Sequence, residues 1–510
     1  METTETRNEE VRKVQRCELS GLRYLFAFMG FLGFCTIYAI RVNINVAIVA
    51  MVNNSAIYKN DNETRSEECN VTPPPFIANH TSYDLPKDGE FIWSTHLQAI
   101  ILGSFYYGYC ISQIPGGRMA EIFSAKWIFG IGTGITALLT LVTPIAARCH
   151  VAFLIVIRTL EGLSQGVTMP AMHSMLGRWV PDSEKAFLST VVYCGICIGT
   201  VVTMPLSGYL CNTEFLGGWP SAFYMVGIFG CVWFIFWALL VTDKPSSHPW
   251  ITKKELKYIT LNQRIEQNVE LPPIPWMKIV TSVPFWALII TQIGQDWCFY
   301  TIVNDLPTFF ATVLHFKIET NGFLSSFPYL LQTIVGCIVG YLADLTIRKK
   351  VASPGFVRKF CNTAAGLGTA SGLIGVCLAG CDVTMNVVFF TCSLAIGGFC
   401  YSGYMVSHLD LSPEYAGTLM GIANTISNLT GFLAPSVVGA LIENSPTLHQ
   451  WRIVFFITVV ILIVTSLVFV FFSSAEKQPW SPDVQQYEIL NSIENPKNIQ
   501  VGYGTIKEKS

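Results

Sequence analysis

Gly117-Arg-Met-Ala-Glu121 and Gly340-Tyr-Leu-Ala-Asp344 are two copies of one short pattern, in which an acidic residue follows a glycine by four positions. Basic residues come within a few positions of each acid. The glycine allows a neighbouring helix to approach closely, and the acid can pair with a base or with the end of a neighbouring helix. Two copies in equivalent places indicate an internal duplication, and we expect Gly117, Glu121, Gly340 and Asp344 to take part in a conformational change.

Long apolar runs surround both copies. The chain has 510 residues, of which 51% are hydrophobic and 13% charged, whereas a soluble domain has about 25% charged residues. A bilayer core about 30 Å thick requires about 20 apolar residues per helix. Such runs lie near residues 22–51, 92–115, 127–147, 151–176, 186–210, 219–241, 283–304, 322–343, 360–380, 386–406, 415–441 and 452–474. We predict about twelve membrane-spanning helices, with ten as the lower bound because the second run is rich in Pro and Gly and the seventh is polar inside.

A charged linker, residues 243–280, divides these runs into two sets of six. The predicted fold is therefore an all-α integral membrane protein of two pseudo-symmetric six-helix halves, residues 22–242 and 281–474, related by an axis along the membrane normal. The flanking segments are predicted to be polar tails, residues 1–21 and 475–510. The first 20 residues are polar and charged, which does not fit a cleavable signal peptide.

The distribution of basic residues predicts the orientation in the membrane. With the N-terminus in the cytosol, 24 of the 32 Lys and Arg residues are cytosolic. The loop 53–90 is then outside or lumenal, and it contains four Asn-x-Ser/Thr sequences, at Asn53, Asn62, Asn70 and Asn79. We expect this loop to be glycosylated and both tails to be cytosolic.

The remaining composition argues against several other classes. A net charge of −2 gives no reason to expect nucleic-acid binding. The 16 cysteines are mostly scattered inside apolar runs, which indicates small core residues and not a disulfide framework or a metal site. No HExxH, GxSxG or Walker sequence occurs. We therefore expect no catalytic site, no metal site, no cofactor and no ATP-driven transport.

Arg41 lies in the middle of the first apolar run. An arginine at the centre of a membrane helix costs roughly 2.5–3.5 kcal/mol on insertion scales, so its retention indicates a function. Asn45 lies one helical turn further along the same face. We interpret Arg41 as the residue that attracts a small anion, with a purely structural role as the alternative.

The fourth run contains Arg158, Glu161 and Gln165, which share one helix face because they are three and four residues apart. Gly162 and Gly166 form a stripe of small residues beside them, where another helix can approach. Arg158 and Glu161 are predicted to form an ion pair that substrate or a proton can open. The alternative is that the pair only fixes helix packing.

Two further polar features are candidates for ion coupling. The seventh run is interrupted by Gln292, Gln295 and Asp296, which is typical of a helix that lines a transport cavity, and Asp296 is a candidate cation ligand. His173 is a candidate proton carrier, although a structural histidine fits equally well.

Seven motifs together resemble the anion transporter family of the major facilitator superfamily. They are Tyr38-Ala-Ile-Arg-Val-Asn43, Gly103-Ser-Phe-Tyr-Tyr-Gly-Tyr109, Gln113-Ile-Pro-Gly-Gly117, Glu161-Gly-Leu163, Gly166-Val-Thr-Met-Pro-Ala-Met-His173, Asn321-Gly-Phe-Leu-Ser-Ser326 and His408-Leu-Asp410. That family includes sialin, the vesicular glutamate transporters and the type I sodium–phosphate cotransporters. The resemblance covers about residues 22–475. Gln292-Ile-Gly-Gln-Asp-Trp297 and Asp305-Leu-Pro307 are most similar to invertebrate members named as inorganic phosphate cotransporters.

The resemblance implies roles for individual residues. It implies anion recognition by Arg41 and Arg158, and proton linkage through Glu161 and His173. Substrate contact is implied for four tyrosines, Tyr38, Tyr107, Tyr193 and Tyr300.

Three departures from the family pattern bear on the substrate. Vesicular glutamate transporters have His where this chain has Leu102 and Arg where it has Gln295. Proton-coupled sialin has a second acid where this chain has Gln165, and phosphate-type members have Gln there. We therefore expect symport of inorganic phosphate or a small organic anion with sodium or a proton. Proton-coupled export of acidic sugars or acidic amino acids from lysosomes or vesicles is the alternative, and a channel or receptor is the alternative from another class.

The predicted partners are a small anion and the lipid bilayer. Tyr487-Glu-Ile-Leu490 and Tyr503-Gly-Thr-Ile506, in the C-terminal tail, fit the Tyr-x-x-apolar form that endocytic adaptors bind. Both the plasma membrane and an endolysosomal or vesicular membrane fit this sequence.

Overall fold

The structure is a computed structural model that describes residues 21–53, 89–213, 215–263, 274–312, 318–442 and 447–482. Asn62, Asn70, Asn79, Tyr487 and Tyr503 lie outside the described residues, so the predictions for them stay predictions. Within the described ranges the chain is helical, and the β contact found there is a single bridge between Val52 and Phe91.

Seven α-helices make up the part of the first half that the structure describes. They are α1 Leu22–Met51, α2 Thr95–Met119, α3 Ala125–Cys149, α4 Val151–Gly166, α5 Thr168–Trp179, α6 Lys185–Asn212 and α7 Pro220–Leu240. A π-helical turn, Ala120–Ser124, joins α2 to α3. Two short helices follow, α8 Lys253–Gln263 and α9 Trp276–Val280.

The described residues of the second half form eight α-helices. They are α10 Val283–Thr312, α11 Ile318–Arg348, α12 Pro354–Ala379, α13 Val383–Gly397, α14 Tyr404–Leu411, α15 Ala416–Ser427, α16 Thr430–Ile442 and α17 Leu448–Phe472. The pairs α4–α5, α13–α14 and α15–α16 each form one interrupted crossing.

Ten of the described helical stretches are long and apolar enough to span a membrane. One of them, Ile100–Cys149, has 50 residues and contains most of α2 and all of α3. At 1.5 Å per residue it is far longer than one crossing needs, so it counts as two. The helix α10 has 30 residues but is too polar to be among the ten. Counting Ile100–Cys149 as two crossings and adding α10 raises the ten stretches to the twelve predicted helices.

The two halves pack in equivalent ways. In the first half α1 lies against α6, α2 against α4, and α3 against α7; in the second, the equivalent pairs are α10 against α15 and α16, α11 against α13, and α12 against α17. Between the halves, α2 packs on α15 and α11 packs on α6. The second crossing of each half therefore meets the fifth crossing of the other, as a twofold pseudo-symmetry requires.

The two repeated acids lie at this interface, and each caps the N-terminus of a helix in the other half. Glu121 accepts hydrogen bonds from the backbone N–H of Thr418, at 2.6 Å, and from its hydroxyl, at 2.7 Å. Asp344 accepts from the backbone N–H groups of Ala186, at 3.0 Å, and Phe187, at 2.7 Å. Thr418 is in the first turn of α15, and Ala186 and Phe187 are in the first turn of α6. Each carboxylate therefore satisfies free N–H groups at the positive end of a helix in the other half.

We call the end of the bundle that carries Glu121 and Asp344 the motif end. Gly117 is required there, since a Cβ atom on it would lie 2.4 Å from the carbonyl oxygen of Gly417. Space is less restricted at Gly340 than at Gly117, because a Cβ atom there would lie 3.1 Å from the hydroxyl of Thr190. A buried ion pair between Lys185 and Asp410, at 3.3 Å, also joins the halves at this end. The motif end is therefore closed.

One cysteine departs from the predicted pattern. Thirteen cysteines of the described residues are free, but Cys381 is disulfide-bonded. It lies in the short connection between α12 and α13, at the end of the bundle opposite the motif end. The expectation that the cysteines are core thiols was wrong for Cys381, because it sits outside the apolar runs.

Gly117→Ala should weaken the closed motif end, because the added methyl group must push α2 away from α15. We expect its transport rate to fall by about tenfold, equivalent to roughly 1.4 kcal/mol, and its unfolding temperature in detergent to fall. Gly103→Ala is the matched control, because it lies on the same helix and a Cβ atom there meets no atom within 4 Å. Equal behaviour of the two variants would contradict the role of Gly117.

Candidate functional site

A cavity lies between the halves, about midway along the helices. Its volume is about 50 Å³, which is room for on the order of four waters. Both halves contribute to its walls. The first half supplies Tyr38, Arg41, Val42, Asn45, Leu102, Phe105, Tyr106, Arg158, Ile196, Cys197 and Thr200, and the second supplies Phe299, Tyr300 and Tyr329.

Arg41 is held in this cavity by aromatic rings and not by a carboxylate. Its guanidinium carbon lies 4.9 Å from the ring centres of Tyr106 and Tyr109, 5.1 Å from that of Phe105 and 5.4 Å from that of Tyr38. Each such contact contributes roughly 0.5–2 kcal/mol. Arg41 is 9% exposed, and among the described residues it forms no ion pair. Because the rings stabilise the cation without neutralising it, the positive charge stays available to an anion.

Tyr300 connects Arg41 to the second half. Arg41 donates to the Tyr300 hydroxyl at 3.3 Å, and that hydroxyl donates to the side-chain oxygen of Asn428 at 2.7 Å. The three residues lie on α1, on α10 and between α15 and α16. An anion that displaced Tyr300 from Arg41 would therefore change a contact between the halves.

Arg158 and Glu161 form a buried ion pair on α4, with 2.5 Å between Nη1 and Oε2. Glu161, which is 0% exposed, also accepts hydrogen bonds from Thr140 at 3.1 Å and Thr143 at 3.2 Å. Arg158 lines the cavity, lies over the Phe105 ring at 5.2 Å and has no hydrogen-bond partner for Nε within the described residues. Both carboxylate oxygens of Glu161 are thus hydrogen-bonded, whereas the Nε–H group of Arg158 has no acceptor among the described residues.

The glycine stripe beside this pair brings α4 against α2. A Cβ atom on Gly162 would lie 1.9 Å from the carbonyl oxygen of Phe105, and one on Gly166 would lie 2.4 Å from that of Tyr109. This contact between backbones places Phe105 over both arginines. Gln165, on the same face, donates to the carbonyl oxygen of Ile37 at 2.9 Å, and its own side-chain oxygen has no partner among the described residues.

Asp296 lies near the cavity but is not part of its wall. It interacts with Ser427 and Gln292 and is within electrostatic range of Arg41. Gln292 in turn donates to Asn424, at 3.0 Å, and Asn424 donates to Gln113, at 2.5 Å. A buried polar network therefore runs from α10 through α15 to α2.

His173 and Tyr193 are buried together outside the cavity wall. The Tyr193 hydroxyl is hydrogen-bonded to Nδ1 of His173, and Nε2 of His173 lies 3.4 Å from the carbonyl oxygen of Met405. The ring of His408 lies 5.8 Å from that of His173. The structure therefore does not place Tyr193 or His173 where a molecule in the cavity would touch them.

The predicted substrate contact of Tyr107 does not fit the structure. Its side chain is 59% exposed on the outside of the bundle, and its neighbour Tyr106 lines the cavity. Tyr107 lies about 200° around the helix axis from Phe105, which also lines the cavity, so its side chain points away from the cavity. Phe105, Tyr106 and Tyr109 are the aromatic residues around Arg41 that sequence reasoning missed. Their three- and four-residue spacing was the signal that could have identified them.

Residues 29–435 match the family model of the Major Facilitator Superfamily. The chain belongs to the major facilitator superfamily. Relatives with high coverage support the same assignment. The chain is 39% identical over 469 residues to a Drosophila melanogaster protein named "Putative inorganic phosphate cotransporter", and the match covers 91% of this chain and 87% of that protein.

Two other relatives carry different names. Sialin of Ovis aries is 39% identical over 459 residues, with 90% of each chain covered. Vesicular glutamate transporter 2 of Homo sapiens is 37% identical over 480 residues, with 92% of this chain and 78% of that protein covered.

Solved structures of the superfamily share the fold. The proton:xylose symporter XylE has a TM-score of 0.65 at 12% identity, covering 92% of this chain and 98% of its own. FucP in its outward conformation has a TM-score of 0.59 at 12% identity, covering 89% and 100%. In this superfamily fold, the cavity around Arg41 lies between the two halves.

Tyr106→Ala should raise the KM for the transported anion by about three- to tenfold, because the ring supports Arg41 at 4.9 Å. Tyr107→Ala is the matched control, since its ring is exposed outside the bundle, and its KM should change by less than about twofold. Initial uptake rates at varied substrate concentration measure both. A larger effect at Tyr107 than at Tyr106 would contradict the placement of the cavity.

Proposed function

We propose that the protein is a secondary active transporter that carries a small anion by cation-coupled symport. The observation that carries this proposal is the Arg41 guanidinium, which is buried between the halves, surrounded by aromatic rings and not paired with a carboxylate of the described residues. A charge of this kind attracts an anion strongly because the surrounding medium screens it weakly. The names of the relatives fit this chemistry, since phosphate, sialic acid and glutamate are all anions.

Inorganic phosphate or a small carboxylate is the proposed substrate. The narrow cavity favours a small anion, and a planar guanidinium can bind phosphate or carboxylate oxygens through two parallel hydrogen bonds. Arg158 would supply a second positive group, because one of its N–H donors is unused. Tyr38 and Tyr300 would complete the site from the two halves.

Glu161 is the proposed coupling residue. Ionised, it holds Arg158 at 2.5 Å; protonated, it would release that arginine to the substrate anion. The two states would favour different conformations, so the cation and the anion would bias each other's binding. Asp296 is the alternative coupling residue if the ion is sodium, because carboxylate oxygens are ligands for hard cations. Apart from this coupling ion, no cofactor is part of the proposal.

The orientation proposed from the basic residues places the motif end in the cytosol. The disulfide at Cys381 supports this orientation, because it lies at the opposite end and disulfides persist in oxidising compartments. The loop 53–90, with its four glycosylation sequences, would be on the same side as Cys381. Recognition of Tyr487 or Tyr503 by endocytic adaptors is proposed only for the cytosolic orientation of the C-terminal tail.

Arg41→Ala should reduce uptake by about 100-fold or more, since it removes two charge-assisted hydrogen bonds of about 1.5–3 kcal/mol each. Arg41→Lys should reduce uptake by about tenfold, because a point charge cannot reproduce the planar fork. Proteoliposomes with labelled phosphate, glutamate or sialic acid, with and without sodium and a pH gradient, measure the rates and identify substrate and ion. Arg148→Ala is the control, since that arginine is 48% exposed and paired with Glu90. Normal uptake by Arg41→Ala would refute the site.

Glu161→Gln should keep substrate exchange but lose concentrative uptake driven by a pH gradient, because Gln imitates the protonated state permanently. Gln165→Glu should increase the dependence on pH. Counterflow of labelled substrate measures exchange, and uptake against a gradient measures coupling. Wild-type uptake by Glu161→Gln, together with strict sodium dependence and no effect of pH, would transfer the coupling role to Asp296 and leave Arg158–Glu161 as a packing contact.

Proton-coupled export of acidic sugars or acidic amino acids remains the second candidate. The observation that favours it is the complete burial of the Glu161 carboxylate beside Arg158, which suits a proton more than sodium. Transport of sialic acid or glutamate in excess of phosphate, driven by a pH gradient alone, would select this candidate. A channel would be indicated if anion flux were passive and far faster than conformational cycling allows.

A further inference from the structure

Two cysteine thiols face each other across the interface between the halves. Cys194 lies on α6 and Cys337 on α11, and their sulfur atoms are 3.6 Å apart. Both thiols are free, and neither lines the cavity. Among the free thiols of the described ranges, this is the pair within hydrogen-bond distance. The contact therefore joins the two halves outside the substrate site.

The two sulfur atoms are close enough for a covalent bond to form after a small movement. A disulfide requires the sulfur atoms to be about 2.05 Å apart, so each need move by less than about 1 Å. Gly340, on the same helix as Cys337, allows α11 to lie close to α6. A Cβ atom on Gly340 would lie 3.1 Å from the hydroxyl of Thr190 and 3.2 Å from the carbonyl oxygen of Ala186, both on α6. Helix shifts of 1–2 Å are common in conformational changes.

The depth of the pair determines which oxidant could reach it. Cys337 is about 16 Å from the end of α11 and Cys194 about 14 Å from the start of α6, at 1.5 Å per residue. Both therefore lie inside a bilayer about 30 Å thick, in the half nearer the motif end. Cys194 is 2% exposed, whereas Cys337 is partly exposed. A small uncharged oxidant such as hydrogen peroxide can reach this depth, but a charged thiol reagent cannot.

We propose that Cys194 and Cys337 form a redox-sensitive lock, in which a disulfide between them holds the motif end closed and stops transport. The Cys337 sulfur attacks one oxygen of hydrogen peroxide, giving a sulfenic acid and one water. The Cys194 sulfur then displaces the hydroxyl group as a second water and forms the S–S bond. Two thiols are oxidised and one peroxide is reduced, and a dithiol reverses the reaction by exchange.

The lock acts because of where its two helices belong. The helix α6 is part of the first half and α11 part of the second, and Asp344 on α11 already caps α6 at the motif end. Opening the motif end requires these helices to separate. A covalent bond between them prevents that separation, whatever occupies the cavity. This regulation goes beyond the proposed function and does not depend on the identity of the substrate.

The test is oxidation of the purified full-length protein in proteoliposomes with hydrogen peroxide, followed by dithiothreitol. Mass spectrometry of peptic peptides should detect a Cys194–Cys337 linkage, and the unfolding temperature of the oxidised protein should rise. Uptake of labelled phosphate should fall by about tenfold and recover with the dithiol. Cys194→Ser and Cys337→Ser should each abolish the linkage and keep uptake through the same treatment. Cys392→Ser is the control, because that cysteine is free and exposed, and it should respond as the wild type does.

The linkage and the unfolding temperature are measured without substrate, so they test the lock even if phosphate is not transported. Absence of the linkage after peroxide treatment would overturn the proposal. So would a linked protein that exchanges substrate at the untreated rate, or oxidative inhibition that persists in both Cys194→Ser and Cys337→Ser.

Discussion

The closed end of this transporter depends on two carboxylates that each complete a helix belonging to the other half. Glu121 caps α15, and Asp344 caps α6. Free N–H groups at a buried helix end are costly in a membrane protein, because no water is available to bind them. A carboxylate at that end meets both the hydrogen-bonding need and the partial positive charge. When the halves separate, water or other groups must replace these carboxylates at the two helix ends. The contacts therefore stabilise the closed state.

The lack of water inside the membrane also governs how the charged groups in the cavity are stabilised. Arg158 is neutralised by Glu161 on its own helix, whereas Arg41 is stabilised by rings and by Tyr300 from the second half. Arg158 is therefore paired with a carboxylate, whereas Arg41 has no ion pair among the described residues. Because a transported anion would complete that pairing, substrate and protein share the task of stabilising the buried charge.

The cavity and the closed end are physically connected. The network from Gln292 through Asn424 to Gln113 crosses from α10 to α15 and α2. The same two helices, α2 and α15, meet at Gly117 and Gly417. A change at the cavity that moves α10 can therefore reach the contact at the motif end through buried hydrogen bonds. The thiol contact between Cys194 and Cys337 lies on the equivalent pair of helices, α6 and α11.

The sequence by itself determined the membrane-spanning class, the two halves and the shared face of Arg158, Glu161 and Gln165, because apolar length, internal repetition and helical spacing are local properties. It also identified Arg41, since a charge inside an apolar run is conspicuous wherever the chain folds. Only the tertiary structure decided that Tyr106 and not Tyr107 faces the cavity, that His173 and Tyr193 lie elsewhere, and that Tyr300 meets Arg41. Those outcomes depend on how helices rotate and pack against partners far away in the chain, and no single segment contains that information.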